Sequence, residues 1–259
     1  KRGLTAVEAG ILMEQPLDKV MTMILFSTLK KGAATVLTRD PLKLDVVSPL
    51  PAGLLPYEIS FLEAFKQTKD AQRKTDLQNT MVALVKSVSE KMKGFSRKET
   101  IDYYRTIMEK AWGQVTAAGT PEVKSETYEQ VMDWTMLDKK WEGRTQETFG
   151  SGPVIVPTWW WRYDPVIRSS GGGGGFAKPS APGMPQTGGS ISVPKLPGSD
   201  FAASMVGGVQ NFSSKVIGDL GSFTSSITDR TNPVPKTTSS GGRSGGGGGS
   251  SCACACACA

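Results

Sequence analysis

Residues 17–32 read LDKVMTMILFSTLKKG, and this run decides the fold class. Leu17, Val20, Met21, Ile24, Leu25 and Leu29 recur at i, i+3, i+4, i+7 and i+8, the spacing that gathers apolar side chains on one face of an α-helix. Pro16 suits the first turn, Lys30 and Lys31 complement the C-terminal end of the helix dipole, and Gly32 supplies the stop. On that reading Asp18, Lys19, Thr22, Met23, Ser27 and Lys30 form the solvent face. Upstream, Thr5 and Glu8 stand in capping-box spacing, which predicts a short helix from Ala6 to about Met13. Downstream, residues 35–38 and 42–47 flank Arg39-Asp-Pro41, and Leu42, Leu44 and Val46 alternate, so the pair predicts an antiparallel hairpin. Helix, helix, hairpin is the order of a winged-helix unit, expected over residues 1–50.

Pro49, Pro51, Gly53 and Pro56 then make a linker into a helical unit expected over residues 51–168. Ile59, Phe61, Leu62 and Phe65 form one helical stripe. Thr75 and Gln78 repeat the capping-box spacing and predict a helix that buries Leu77, Met81, Leu84, Val85 and Val88 before Gly94. Ser96 and Glu99 open the next, with Ile101, Tyr104, Met108, Ala111, Trp112 and Val115 on one side before Gly119. Tyr128, Val131, Met132 and Leu137 predict one more helical segment. Residues 153–157 and 159–163 read as extended, and strand alternation would turn Trp159, Trp161 and Tyr163 toward the helices as a latch, with Trp160 and Arg162 facing away.

The fold class is therefore mainly α with a small β hairpin, followed by a long disordered tail over residues 169–259. That last stretch carries 20 of the 30 Gly and 7 of the 16 Pro, and is too poor in apolar side chains to build a core alone. The net charge of +6 divides evenly between front and tail, so no concentrated basic face points to nucleic acid. The chain has no His, which excludes Ser-His-Asp triads, Cys-His pairs and His-containing zinc sites within it. All four Cys lie at the extreme end, so a disulfide-stapled domain is excluded too. No apolar run reaches the roughly 18–20 residues that cross a bilayer.

A DNA-reading helix displays Arg, Lys, Asn or Gln to base edges, whereas the face of residues 17–31 offers no Arg, Asn or Gln. Arg39 and Lys43 on the hairpin are too few to mark a phosphate-binding wing, so a DNA-binding regulator is the alternative rather than the leading reading. Neither a Gly-x-Ser-x-Gly elbow nor a phosphate-cradling glycine loop before Lys-Ser/Thr occurs, and neither an enzyme nor a small-molecule substrate is expected.

The tail holds a repeat. Phe201, Phe212 and Phe223 recur at 11-residue intervals, and with Met205, Val209, Val216 and Ile227 they draw one stripe on a helix. The stripe predicts an inducible amphipathic helix over residues 200–230, begun by Asp200 and ended by Pro233, that docks on a protein partner or a membrane surface. Gly207, Gly208, Gly218 and Gly221 each weaken such a helix by about 1 kcal/mol relative to Ala, so it should wait for its partner. Beyond it, Cys252, Cys254, Cys256 and Cys258 alternate with Ala. Wrapped tightly, four thiolates could close a tetrahedral site for a soft ion, Zn(II) or Cu(I). Redox pairing, acylation and a plain terminus are the other readings, and exposed thiols of this kind imply a reducing compartment.

Residues 4–12 (LTAVEAGIL), 29–33 (LKKGA), 54–58 (LLPYE) and 160–165 (WWRYDP), together with the Cys-Ala end after poly-Gly, resemble an uncharacterised bacterial family of predicted membrane proteins. Members carry an extracytoplasmic β-rich domain, membrane helices and a cytosolic region ending in a Gly/Ser/Cys-rich tail. The resemblance implies that the spanning helices precede Lys1 and that this chain is the part on the cytoplasmic side of the cell membrane. It supplies no catalytic residues. The expected function is a non-enzymatic interaction or adaptor region.

Overall fold

The computed structural model describes residues 1–157, 159–165, 195–212 and 216–232. Helices α1 (Ala6–Leu12) and α2 (Leu17–Lys30) lead into strands β1 (Ala34–Arg39) and β2 (Leu42–Val46). Four helices follow, α3 (Pro56–Lys66), α4 (Asp70–Met92), α5 (Arg97–Thr116) and α6 (Pro121–Thr135). Then come α7 (Trp141–Phe149), β3 (Pro153–Ile155) and the single turn α8 (Trp160–Tyr163). The tail contributes β4 (Lys195–Pro197), α9 (Gly198–Phe212) and α10 (Leu220–Thr231). The fold is mainly helical with a small antiparallel hairpin.

Local chemistry sets several of these boundaries. At α1 the Thr5 hydroxyl accepts from the Glu8 amide at 3.2 Å while the Glu8 carboxylate accepts from the Thr5 amide at 3.0 Å. The Ser96 hydroxyl caps α5 by accepting from the Glu99 amide at 3.3 Å. Gly32 closes α2 with φ +71°, a left-handed conformation that costs Gly little. The hairpin pairs Ala34 with Val46 and Val36 with Leu44, and slips by one residue between Val36 and Thr38.

Helix α2 lies at the centre. Of its side chains only Asp18, Ser27 and Lys30 escape burial, because α1, α3, β1, α8, α9 and α10 all touch it. The face expected to meet solvent is corrected here, since Lys19, Thr22 and Met23 are buried with the rest. Thr22 and Thr28 satisfy their hydroxyls on the helix's own carbonyls, Asp18 O at 2.9 Å and Leu25 O at 2.7 Å, so they enter the core without an orphaned donor. One cluster of buried apolar side chains runs from Leu4 to Ile227, and it is continuous across residue 50, where the winged-helix unit was expected to end.

Two other expectations change. Helix α4 begins at Asp70 rather than at Thr75, whose hydroxyl donates to Ala71 O at 3.0 Å from inside the helix. Residues 159–163 form a helical turn instead of an extended latch, so a helical period sorts them: Trp159, Trp160 and Tyr163 are buried while Trp161 and Arg162 are partly exposed. That turn places three rings around Phe26, with centroids 5.5, 5.7 and 5.1 Å away for Trp159, Trp160 and Tyr163. The Arg162 guanidinium donates to Leu29 O at 3.2 Å and so takes up a carbonyl at the end of α2.

Phe26→Ala should therefore lower stability by about 3–5 kcal/mol in urea unfolding followed by Trp fluorescence. A loss under about 1 kcal/mol would mean that α2 is not enclosed as described.

Candidate functional site

The predicted tail stripe and the folded front meet in one place. Strand β4 pairs antiparallel with β3, matching Leu196 to Val154, and delivers the chain into α9. At this junction the Gly198 amide donates to Gly152 O at 2.9 Å. A Cβ on Gly198 would stand 1.6 Å from the Phe149 carbonyl oxygen, so a side chain there has no room.

Phe201, Met205, Val209 and Phe212 are all buried on α9. The Phe201 ring lies 5.4 Å from Phe149 and 5.5 Å from Trp160, while Phe212 lies 6.1 Å from Phe61 and 6.4 Å from Phe65. The stripe then breaks. Gly218 takes φ +74°, the Asp219 carboxylate accepts from the Ser222 amide at 2.6 Å, and α10 begins. Phe223 and Ile227 are buried on this second helix, which packs on α4, and Val216 is half-buried in the connection. The single helix expected over residues 200–230 is thus two, and in this structure its apolar face packs against the front of the same chain. The expected terminal cysteines, Cys252, Cys254, Cys256 and Cys258, lie outside the described residues, as does Pro233.

A polar latch fixes the register of α9. Arg39 on the hairpin pairs with buried Asp164 at 3.0 Å, and the Ser204 hydroxyl donates to the same carboxylate oxygen at 2.6 Å. Beside it the helix backbone presses close. A Cβ on Gly208 would meet the Tyr163 hydroxyl at 2.3 Å and Phe26 at 3.3 Å. The glycine that weakens the helix in isolation is what admits the helix to this seat. Burial, helped by Asp164 and opposed by Arg39, raises the Tyr163 phenol to about 12, so the ring stays neutral next to Arg39 at ordinary pH.

The second feature is a cleft of about 900 Å³ between the α1–α2 turn, α7 and α9, lined by Gln15, Lys19, Trp141, Glu142 and Val209 among others. The Lys19 ammonium donates to Gln15 Oε1 at 3.1 Å and to Asp138 O at 2.6 Å, while Gln15 Nε2 donates to Leu137 O at 2.8 Å. Burial lowers the Lys19 amine to about 8, with Asp138, Glu142 and Asp18 pulling it part of the way back. The sequence reading placed Lys19 in solvent. The signal that it is inside is α2 itself, which carries Met23 on its expected outer face and Phe26 outside the predicted stripe, and so is apolar nearly all round.

Thr22 and Met23, on the face of α2 expected to meet solvent, are buried. No family model matches the chain, and neither does any curated protein or solved structure.

Two outcomes are expected. Gly208→Ala should cost about 1–3 kcal/mol in chemical unfolding, and Tyr163→Phe added to it should return part of that loss, because the nearest clashing atom is the hydroxyl. For Lys19 the sign follows from the lowered pKa. Between about pH 8 and 10.5 the unfolded chain holds more protons at this group, so stability rises with pH across that window. Buried Tyr57 and Tyr128, whose phenols are pushed up by desolvation, oppose the rise once unfolded tyrosines ionise near pH 10. Unfolding midpoints measured from pH 8 to 9.5 should climb in the natural chain and flatten in Lys19→Met.

Proposed function

We propose that this chain is a non-enzymatic interaction region that anchors a thiol-bearing tail on a folded helical body at the cytoplasmic side of a membrane. The thiols of Cys252, Cys254, Cys256 and Cys258 hold a soft ion, Zn(II) or Cu(I), for which alternating cysteines with small Ala spacers offer four sulfur ligands near 2.3 Å from a tetrahedral metal. The observation that carries this reading is the docked stripe. Phe201, Met205, Val209, Phe212, Phe223 and Ile227 are spent on the front of the same chain, so the tail is tethered 25 positions before its first cysteine, Cys252. The body acts on the tail as a receptor acts on an amphipathic helix, with apolar anchors at helical spacing and a polar pair that sets the register. A membrane surface or protein partner that binds the same stripe must first displace the body from it. The membrane location rests on the family resemblance of residues 4–12, 29–33, 54–58 and 160–165.

Anaerobic titration of the full chain with Zn(II) or Cu(I), followed by native mass spectrometry, should show one ion held with submicromolar affinity and released on acidification as the thiolates protonate. Replacing all four cysteines by Ser should abolish it. Equal binding by the natural chain and the Ser variant would overturn the metal reading.

A further inference from the structure

We propose that Lys19 is a reactive amine seated to form an imine with a small carbonyl compound that enters the cleft between α2, α7 and the tail helix α9. Three features of the site support this. The cleft, at about 900 Å³, has room for a compound of ten or so heavy atoms, and the Trp141 ring, its centroid 5.9 Å from Lys19 Nζ, gives an apolar wall. The two partners of Nζ, Gln15 Oε1 at 3.1 Å and the Asp138 carbonyl at 2.6 Å, are neutral acceptors, and among the described residues no carboxylate pairs directly with it. A free amine has two N–H bonds to give, so these two acceptors satisfy it completely and leave its lone pair for a third direction. An ammonium in the same seat has a third proton for which no protein acceptor is found among the described residues. The lowered pKa of about 8 agrees with that hydrogen-bond inventory, since desolvation favours the form that the seat accommodates.

The chemistry needs no further reagent. The Lys19 nitrogen attacks the carbonyl carbon as the C=O π pair moves to oxygen, and a proton passes from nitrogen to that oxygen to give a carbinolamine. Loss of water then forms the C=N bond, so that amine and carbonyl compound become imine and water. Glu142 and Asp18 border the cleft on two different elements, and Glu14, Lys139, Lys140, Arg144 and Glu147 make up the rest of its charged rim. Val209 makes the tail helix a wall of this site, so the cleft is complete only with the tail docked.

The test uses the full chain with benzaldehyde and sodium cyanoborohydride at pH 7.5, which traps any imine as a benzylamine, followed by digestion and mass mapping of every lysine. Lys19 should be labelled ahead of the other lysines by about tenfold, because a larger fraction of it is free amine at that pH. Its rate should level off near pH 8, a profile set by burial and only partly offset by Asp138, Glu142 and Asp18, while the other lysines continue to rise. Chain unfolded in urea should lose the preference. Lys19→Met, which fills the seat without a nucleophile or a buried charge, should keep the native circular dichroism and lose the dominant label. If Lys19 in the folded natural chain is labelled level with the other lysines, or behind them, its two hydrogen bonds only tie α2 to the α1–α2 and α6–α7 turns and the proposal is overturned.

Discussion

A helix that is apolar on nearly every side has to be enclosed on nearly every side. Helix α2 carries Leu17, Val20, Met21, Met23, Ile24, Leu25, Phe26 and Leu29 around its whole circumference, and each of these is buried. At about 1.5–3 kcal/mol for each large apolar side chain withdrawn from water, leaving one flank of α2 open would forfeit several kcal/mol, a large part of the stability of an ordinary domain. The helices before residue 165 cover only some of that circumference. Helices α9 and α10, arriving from the tail, touch α2 as well and complete the enclosure.

This demand explains features that look unfavourable one at a time. Glycines at 207 and 208 are poor helix formers, yet Gly208 is where α9 comes nearest to Tyr163 and Phe26. Arg39, Asp164 and Ser204 bring charge and hydroxyl groups to the margin of an apolar seam. Such pairs add little net stability once desolvation is counted, but they penalise every register in which Ser204 does not meet Asp164. Glu58 plays a similar part on the other side of α2. Fully buried, it accepts from Lys31, from the Ser27 hydroxyl and from the Leu55 amide, so α3 is tied to the C-terminal end of α2 by a carboxylate with each oxygen satisfied.

Much of the local structure was legible in the sequence because it depends on neighbours in the chain. The caps at Thr5 and Ser96, the hairpin around Arg39-Asp-Pro41 and the helical stripe ending at Phe65 are all set by residues within a few positions of each other. What escaped depends on residues far away. Lys19, Thr22 and Met23 look like an outer face until α9 and the α6–α7 turn are placed over them. Trp159 to Tyr163 alternate well enough for a strand, and only the ring of Phe26 makes a helical turn the better burial. Helix α7 offered a thin signal, Trp141, Thr145 and Phe149 four residues apart among polar neighbours. The tail stripe was visible as a stripe, but periodicity says that a face will be buried and not against what, so the candidate seat lay hidden in the front half.

The central claim is that residues 198–212 and 220–231 belong to the folded body. Hydrogen exchange of the intact chain, read by mass spectrometry, measures this directly. Amides inside α9 and α10 should exchange as slowly as those of α2, since all three helices open only when the common core opens. Exchange of the tail helices at the rate of an unfolded peptide, with α2 still protected, would contradict it.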